Sequence, residues 1–251
     1  MITKAQIKLV QSLRNSSDRE REGLYVVEGV KLVEELIHSS HKVNKVFATV
    51  NWKQPEDYSG DIILIQDWEL EKISSLTTPN KVLALAEIPQ STNQFSNDVN
   101  HELVLLLDRI SDPGNMGTII RTAEWFGIDR IIASEDSVDF YNSKVVQASM
   151  GSIFRMRLNK LPLLTTLEKL SNLMPVYGTL FDGEILGRTT LSPEGIIIIG
   201  NESHGISEVV KRFVNRKITI PDALTSNSES LNASVATAIV CFEFRRQFPK
   251  Q

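Results

Sequence analysis

Three polar stretches of this 251-residue chain combine side chains that could do chemistry. Residues 108–121 end in Arg121, and residues 200–205 hold Glu202 between two glycines. The third stretch, residues 220–232, contains a Ser-Leu-Asn sequence. Each follows an apolar run of strand length. Ligands of open parallel sheets bind beyond the carboxyl ends of the strands, so we expect the three stretches to meet in one site.

The chemistry that the first stretch offers is anion binding. Pro113 and Gly114 break the chain, and Asn115 is a good N-cap residue, so a helix is predicted to begin there. Backbone N–H groups of a first helical turn favour an anionic or polar ligand, and Arg121 adds a positive charge two turns later. Taken alone, the motif equally fits an ordinary strand-to-helix turn with a surface arginine.

The other two stretches are also open to structural interpretations. Glu202 fits a loop whose glycines let the backbone approach a ligand, and it equally fits a solvated turn. Ser230 and Asn232 could simply cap the last helix. The small residues at 233–238 favour close helix packing.

Several functional classes are excluded by what the sequence lacks. No two of the 13 glycines are one residue apart, so the G-x-G fingerprint of dinucleotide folds and Rossmann methyltransferases is absent, as is a P-loop. The single cysteine, Cys241, excludes a disulfide framework and a cysteine-rich zinc site, and it is predicted to fill the core. The four histidines lack metal-ligand spacing, so we predict no metal.

The formal net charge of −4 gives no global field that would attract a polyanion. RNA would need a local basic patch, although a solvated surface charge is the usual role of any single residue. The candidates for such a patch are Lys4, Lys8, Arg14, Arg19, Arg21, Lys31, Arg109, Arg121 and Arg155. No signal peptide and no apolar run near 18 residues is present, so a cytoplasmic protein without a membrane span is predicted.

The elements that must position these stretches alternate between strands and helices, which predicts an α/β fold. Residues 4–14 form a predicted basic amphipathic helix, and Ile196–Ile199 is the strongest buried strand, apolar on both faces as in a parallel sheet. Polar residues 89–100 are the predicted linker between two domains, 1–92 and 93–251. The last helix is predicted to bury one apolar face, formed by Leu231, Val235, Ala238, Ile239 and Phe242.

In these stretches the chain resembles the SpoU-type (TrmH-like) RNA 2′-O-ribose methyltransferases of the SPOUT superfamily. The resemblance covers residues 100–248, and 144–151 is also typical of the family. The motifs are Asn115-x-Gly117-x-x-x-Arg121-x-Ala123, Gly200-Asn201-Glu202-x-x-Gly205, and Ile220-Pro221 followed by Ser230-Leu231-Asn232-Ala233-Ser234-Val235-Ala236. Residues 24–36 resemble the L30e-like substrate-binding domain that such enzymes often carry.

The resemblance implies a parallel-sheet SPOUT domain with a C-terminal trefoil knot, preceded by a small L30e-like α/β domain that binds RNA. It implies a homodimer, S-adenosylmethionine as cofactor, and ribosomal RNA in preference to transfer RNA as substrate. The implied catalytic residues are Arg121, Asn115, Glu202, Ser230 and Asn232. The implied cofactor-binding residues are Thr179, Leu180, Gly200, Ile220 and Leu231.

The chain departs from the family at residues 222–229, where Asp222 replaces a methionine and no glycine precedes Ser-Leu-Asn. A non-catalytic RNA-binding relative therefore remains an alternative, although the retained Arg121 and Asn115 argue against it. The role of Arg121 is also open. It could accept the proton of the 2′-hydroxyl, or it could orient the RNA phosphate and hydroxyl, for which a guanidinium is better suited.

Overall fold

The computed structural model describes residues 1–89, 102–223 and 230–249. Residues 90–100 of the predicted linker and 224–229 of the unusual loop lie outside these ranges, so the boundary at 92/93 stays a prediction. The chain divides into two compact units. The first comprises Met1–Gln90 with Asp139–Arg155, and the second comprises Ser91–Val138 with Met156–Gln251.

The first unit is a small α/β layer structure, as the alternation of elements predicts. Its sheet has the order β1-β4-β2-β3, with β4 antiparallel to β1 and β2, and β3 parallel to β2. One face packs against α1 and α4 through a buried cluster that includes Val10, Phe47 and Leu83. The elements are α1 Lys4–Ser12, α2 Ser16–Glu22, β1 Leu24–Glu28, α3 Val30–Ile37, β2 Val43–Ala48, β3 Ile62–Leu64, α4 Asp67–Ile73 and β4 Val82–Glu87.

Arg19, on helix α2, is a candidate for the RNA-binding patch in the sequence, and the structure shows that this assignment is wrong. The Arg19 side chain is 3% exposed and lies 2.5 Å from an oxygen of Asp139. It also donates hydrogen bonds to the carbonyls of Leu13 and Arg14, at 2.8 and 3.0 Å. The buried side chain of α2 is an arginine and not an apolar residue. The helix therefore lacks the apolar periodicity by which a helix is predicted from sequence.

The second unit contains a six-stranded sheet of order β10-β8-β9-β5-β6-β7, in which all neighbours are parallel. The predicted parallel sheet is therefore confirmed, and the central residues Val104–Leu107 and Ile196–Ile199 are at most 2% exposed. The trefoil knot stays a prediction. The elements are β5 Leu103–Asp108, α5 Pro113–Trp125, β6 Arg130–Ala133, α6 Ser143–Ser149, β7 Arg157–Lys160, α7 Leu163–Leu170, β8 Val176–Ile185, β9 Gly195–Gly200, α8 Glu208–Lys211, β10 Arg216–Thr219 and α9 Ala233–Gln247, of which α6 belongs to the first unit.

The segment 139–155 is part of the first unit. The Tyr141 ring lies 4.7 Å from the ring of Tyr25, centroid to centroid. On α6, the Gln147 side-chain amide donates to the Glu28 carbonyl at 2.9 Å. The apolar pattern predicts a strand over residues 153–158, but residues 152–154 form a 3₁₀ turn and the strand begins only at Arg157.

Helix α9 buries the face opposite to the predicted one. Val235, Ile239 and Phe242 are 47, 37 and 55% exposed. The face that packs inward carries small, polar and apolar residues together, namely Ala233, Ser234, Thr237, Val240, Cys241, Glu243 and Phe244. Burial raises the pKa of the Cys241 thiol to about 12, in agreement with its predicted role in the core. No helix in the described ranges is long and apolar enough to cross a bilayer.

Candidate functional site

Helix α5 begins earlier than predicted, and this frees a side chain for the site. Asp112, and not Asn115, is the N-cap, because its carboxylate accepts the backbone N–H of Asn115 at 2.7 Å. Pro113 occupies the first turn, where its missing N–H costs nothing. The Asn115 amide can therefore bond elsewhere.

Asn115 joins the three polar stretches. Its Nδ2 donates to Oε1 of Glu202 at 2.5 Å, and its Oδ1 accepts Nδ2 of Asn232 at 2.9 Å. Ser230 adds a bond from its hydroxyl to the carbonyl of Glu202 at 3.3 Å. Asn232 also caps α9, because its Oδ1 accepts the backbone N–H of Ser234 at 3.0 Å. Four of the five predicted catalytic residues thus lie together, and their chemical role stays a prediction.

The loop that carries Glu202 is closed by its backbone. Asn201 and Gly205 exchange two hydrogen bonds, at 3.1 and 2.8 Å, and Gly205 has a φ of 63° that favours glycine. A Cβ on Gly200 would overlap the backbone of Gly205 and Ile206, so only glycine fits there. The side chain of Asn201 fixes the loop to the end of β5 by donating to the Arg109 carbonyl at 2.8 Å.

A cavity of about 670 Å³ lies beside this loop. Its size is within the range of small-molecule and cofactor sites. All five predicted cofactor-binding residues line it: Thr179, Leu180, Gly200, Ile220 and Leu231. Glu202 and Ser230 line it as well. Its walls combine apolar side chains with the backbone of a glycine-containing loop, which suits a ligand held through main-chain groups.

The wall formed by β8 contains a feature that the sequence analysis missed. Gly178 pairs with Lys217, but the next residue of β10, Ile218, pairs with Glu184, so residues 179–183 bulge out of the sheet. A Cβ on Gly183 would overlap the backbone of Ile218. Gly178 and Gly183 lie at the two ends of the bulge, and glycines inside a strand are the sequence signal that could have predicted it.

Two further side chains on the cavity wall were missed, Phe181 and Lys211. Phe181 lies on the bulge, and Lys211 lies 2.6 Å from Glu208. Next to Phe181, a hydrogen bond from Lys217 holds the pKa of the Asp182 carboxyl below its usual range.

Arg121 is not among the residues that line this cavity in the same chain. It is exposed on α5, and among the described residues it has no hydrogen bond or ion pair. It follows Asn115 by six residues, which places it roughly 120° away around the helix. It shares the exposed face of α5 with Thr118 and Trp125.

The predicted RNA-binding residues are scattered over both units. Arg109 follows β5 with a φ of 61° and a half-buried side chain, whose Nε lies 3.4 Å from Asp108. Arg21 pairs with Asp18 at 2.6 Å, so part of its charge is compensated. The exposed members of the first unit are Lys4, Lys8, Arg14, Arg21 and Lys31. In the part of the chain that the structure describes, no cluster of three His, Cys, Asp or Glu side chains could hold a metal.

Two family models match successive parts of the chain. The SpoU rRNA Methylase family model matches residues 102–242, and the MRM3-like substrate binding domain matches residues 4–84. The 23S rRNA (guanosine(2553)-2′-O)-methyltransferase RlmP of Bacillus subtilis is 27% identical over 244 residues, which cover 96% of each chain.

Solved structures agree over nearly the full length. A TrmH-family member from Porphyromonas gingivalis superimposes with a TM-score of 0.88 and 36% identity, covering 98% of this chain and 99% of that one. An AdoMet-bound rRNA methyltransferase from Sinorhizobium meliloti has a TM-score of 0.84 and 25% identity, covering 100% and 97%. The chain therefore belongs to the SpoU rRNA methylase family.

Proposed function

We propose that this protein transfers a methyl group from S-adenosylmethionine to a ribose 2′-hydroxyl of structured RNA, with ribosomal RNA as the substrate class. The observation that carries this proposal is the junction of Asn115, Glu202 and Asn232 beside a cavity of cofactor size. The Bacillus relative is named as an rRNA 2′-O-methyltransferase, and the Sinorhizobium one was solved with AdoMet bound. A cytoplasmic location stays a prediction.

The residues of the cavity suit this cofactor. When bound, S-adenosylmethionine supplies a methyl group on a positively charged sulfonium. Glu202 contributes negative charge to the cavity wall and is held in place by Asn115. Gly200 lines the cavity, and its lack of a Cβ lets the backbone of Gly205 and Ile206 pack against it, which fixes the loop that carries Glu202.

Arg121 then positions RNA and does not act as the base. A guanidinium cannot readily give up a proton, whereas its fork of N–H groups binds a phosphate in a bidentate manner. Alignment of the attacking hydroxyl is itself a large part of catalysis in group transfer. The basic side chains Lys4, Lys8, Arg14, Arg21, Lys31 and Arg109 supply the remaining electrostatic attraction to RNA.

Methyl transfer to RNA is the direct test. Labelled S-adenosylmethionine with ribosomal RNA transcripts is expected to give one mapped 2′-O-methyl position, with little transfer to tRNA. Calorimetry is expected to show cofactor binding without RNA. A protein that binds RNA but gives no heat with the cofactor would be a non-catalytic relative. Efficient transfer to tRNA alone would contradict the choice of ribosomal RNA.

We also propose that the protein is a homodimer formed through α5 and α9. These helices pack together and expose an apolar stripe of Val235, Ile239, Phe242 and the 83%-exposed Trp125. Exposed apolar side chains on two packed helices are typical of a protein interface, and two-fold dimers use the same surface on both copies. Arg121 lies on the same exposed face of α5 as Trp125, and we infer that in the dimer it serves the cavity of the second copy.

The variant Ile239→Glu is expected to shift the protein from dimer to monomer, because a charge would have to be desolvated at the centre of the stripe. Analytical ultracentrifugation at micromolar concentration measures the change. Leu173→Glu is the control, since Leu173 is 58% exposed and follows α7, outside both helices. A wild-type protein that sediments as a monomer would contradict the proposal.

A further inference from the structure

Phe181 is an aromatic side chain at the mouth of the cavity, and it is 85% exposed. It is the one phenyl ring among the described residues that line this cavity. Single exposed apolar residues are common on proteins, so exposure alone indicates nothing. What sets Phe181 apart is its position on the wall of a ligand site and the backbone that holds it there.

That backbone is the bulge of residues 179–183, which is fixed at both ends. At its start, the Thr179 hydroxyl donates to the Ile198 carbonyl at 3.3 Å. At its end, Gly183 lies too close to the Ile218 backbone for any side chain. Asp182 pairs with Lys217 at 2.6 Å. The bulge is therefore held by the sheet while the ring is presented to solvent.

The ligands of this cavity explain why an aromatic ring would be useful there. If the proposed function is correct, two reactants meet at the cavity, and each carries a nucleobase: the adenine of the cofactor and the base of the target nucleotide. Every base has a flat π-face, and aromatic side chains bind such faces by stacking. Lys211, which pairs with Glu208 at 2.6 Å, also lines the cavity.

We propose that Phe181 is a stacking platform for a nucleobase at the mouth of the cavity. This inference rests on the proposed function. Stacking requires the ring and not merely an apolar side chain, so the variants Phe181→Leu and Phe181→Trp separate the two properties. Because the ring is 85% exposed, none of these variants is expected to change the unfolding midpoint.

The experiment measures two affinities for Phe181→Ala, Phe181→Leu and Phe181→Trp. Calorimetry gives the Kd for S-adenosylmethionine alone, and initial rates at saturating cofactor give the KM for RNA. One affinity is expected to weaken by about 5- to 150-fold in the alanine variant, which corresponds to one stacked base. The leucine variant should weaken similarly and the tryptophan variant should recover. A weaker Kd identifies the adenine as the base, and a higher KM identifies the RNA.

The matched control is Leu173→Ala, another exposed apolar residue of the second unit. If the wild type binds cofactor and methylates RNA while Phe181→Ala leaves both constants within two-fold, the stacking role is wrong. The same holds if leucine restores what alanine loses. A wild type that neither binds cofactor nor methylates RNA would overturn the proposed function itself, before any variant is compared.

Discussion

Replacing Arg121 with alanine is expected to lower kcat for RNA methylation by about 100-fold or more, the usual cost of losing one positioned electrostatic group in a transition state. The fold should be unaffected, because the exposed side chain has no hydrogen bond or ion pair among the described residues. Single-turnover rates with saturating RNA and cofactor measure the effect. Cofactor affinity should stay at the wild-type value.

Arg121→Lys tests the geometry of the contact. Lysine keeps the charge but lacks the planar fork, so we expect it to recover only part of the rate. Arg188→Ala removes the same charge at another exposed site of the second unit and is expected to be fully active. If both Arg121 variants methylate RNA at nearly the wild-type rate, the catalytic assignment is wrong.

Gly200→Ala is expected to abolish cofactor binding, with a loss in affinity of about 100-fold or more. The added Cβ would overlap the backbone of Gly205 and Ile206, and backbone cannot move aside as the end of a side chain can. The loop must shift, and Glu202 moves with it, away from Asn115. Overpacking of this kind also lowers the free energy of unfolding by about 1–3 kcal/mol.

Calorimetry with the cofactor and urea unfolding measure the two effects of Gly200→Ala separately. Ser207→Ala is the control just after this loop, because Ser207 is not among the residues that line the cavity and its contact is a backbone bond from its N–H to Asp108 at 2.6 Å. Wild-type cofactor affinity in Gly200→Ala would show that the loop does not form the binding wall.

The sequence predicts well those elements whose stability comes from apolar burial. The isoleucine run 196–199 can only be a strand buried on both faces, and the structure places it at the centre of the parallel sheet. Residues 163–170 form a helix for a similar reason, since Leu163, Leu167 and Leu170 lie on one buried face. In both elements the apolar periodicity of the sequence predicts the face that packs in the core.

The predictions fail where a polar group or a partner decides the structure. Helix α2 was missed because the side chain it buries is Arg19, which is stabilised by Asp139. Asn115 was predicted to be the N-cap of α5 because asparagine is favoured at that position. In the structure Asp112 is the N-cap, and Pro113 begins the helix. The apolar stripe of α9 was assigned to the core of one chain, although an interface with a second copy would require the same pattern.

The sequence predicted which residues form the junction at the candidate site, but it did not predict how all of the site residues are arranged. Motif order correctly grouped Asn115, Glu202 and Asn232, because all three follow strands of one sheet. The resemblance placed Arg121 in the same site, although its spacing of six residues from Asn115 puts it roughly 120° away around the helix. Only Gly178 and Gly183 indicated the bulge that carries Phe181, since a change of register depends mainly on the neighbouring strand.

The first unit is assembled from two separated lengths of chain, 1–90 and 139–155. A gene fragment that stops after residue 92 would therefore encode neither Tyr141 nor Gln147. Tyr25, which is 0% exposed in the intact chain, would lose the ring that packs against it and would be open to water on that side. Swapping this unit between relatives thus requires transplanting both lengths, because a single cut separates it from α6.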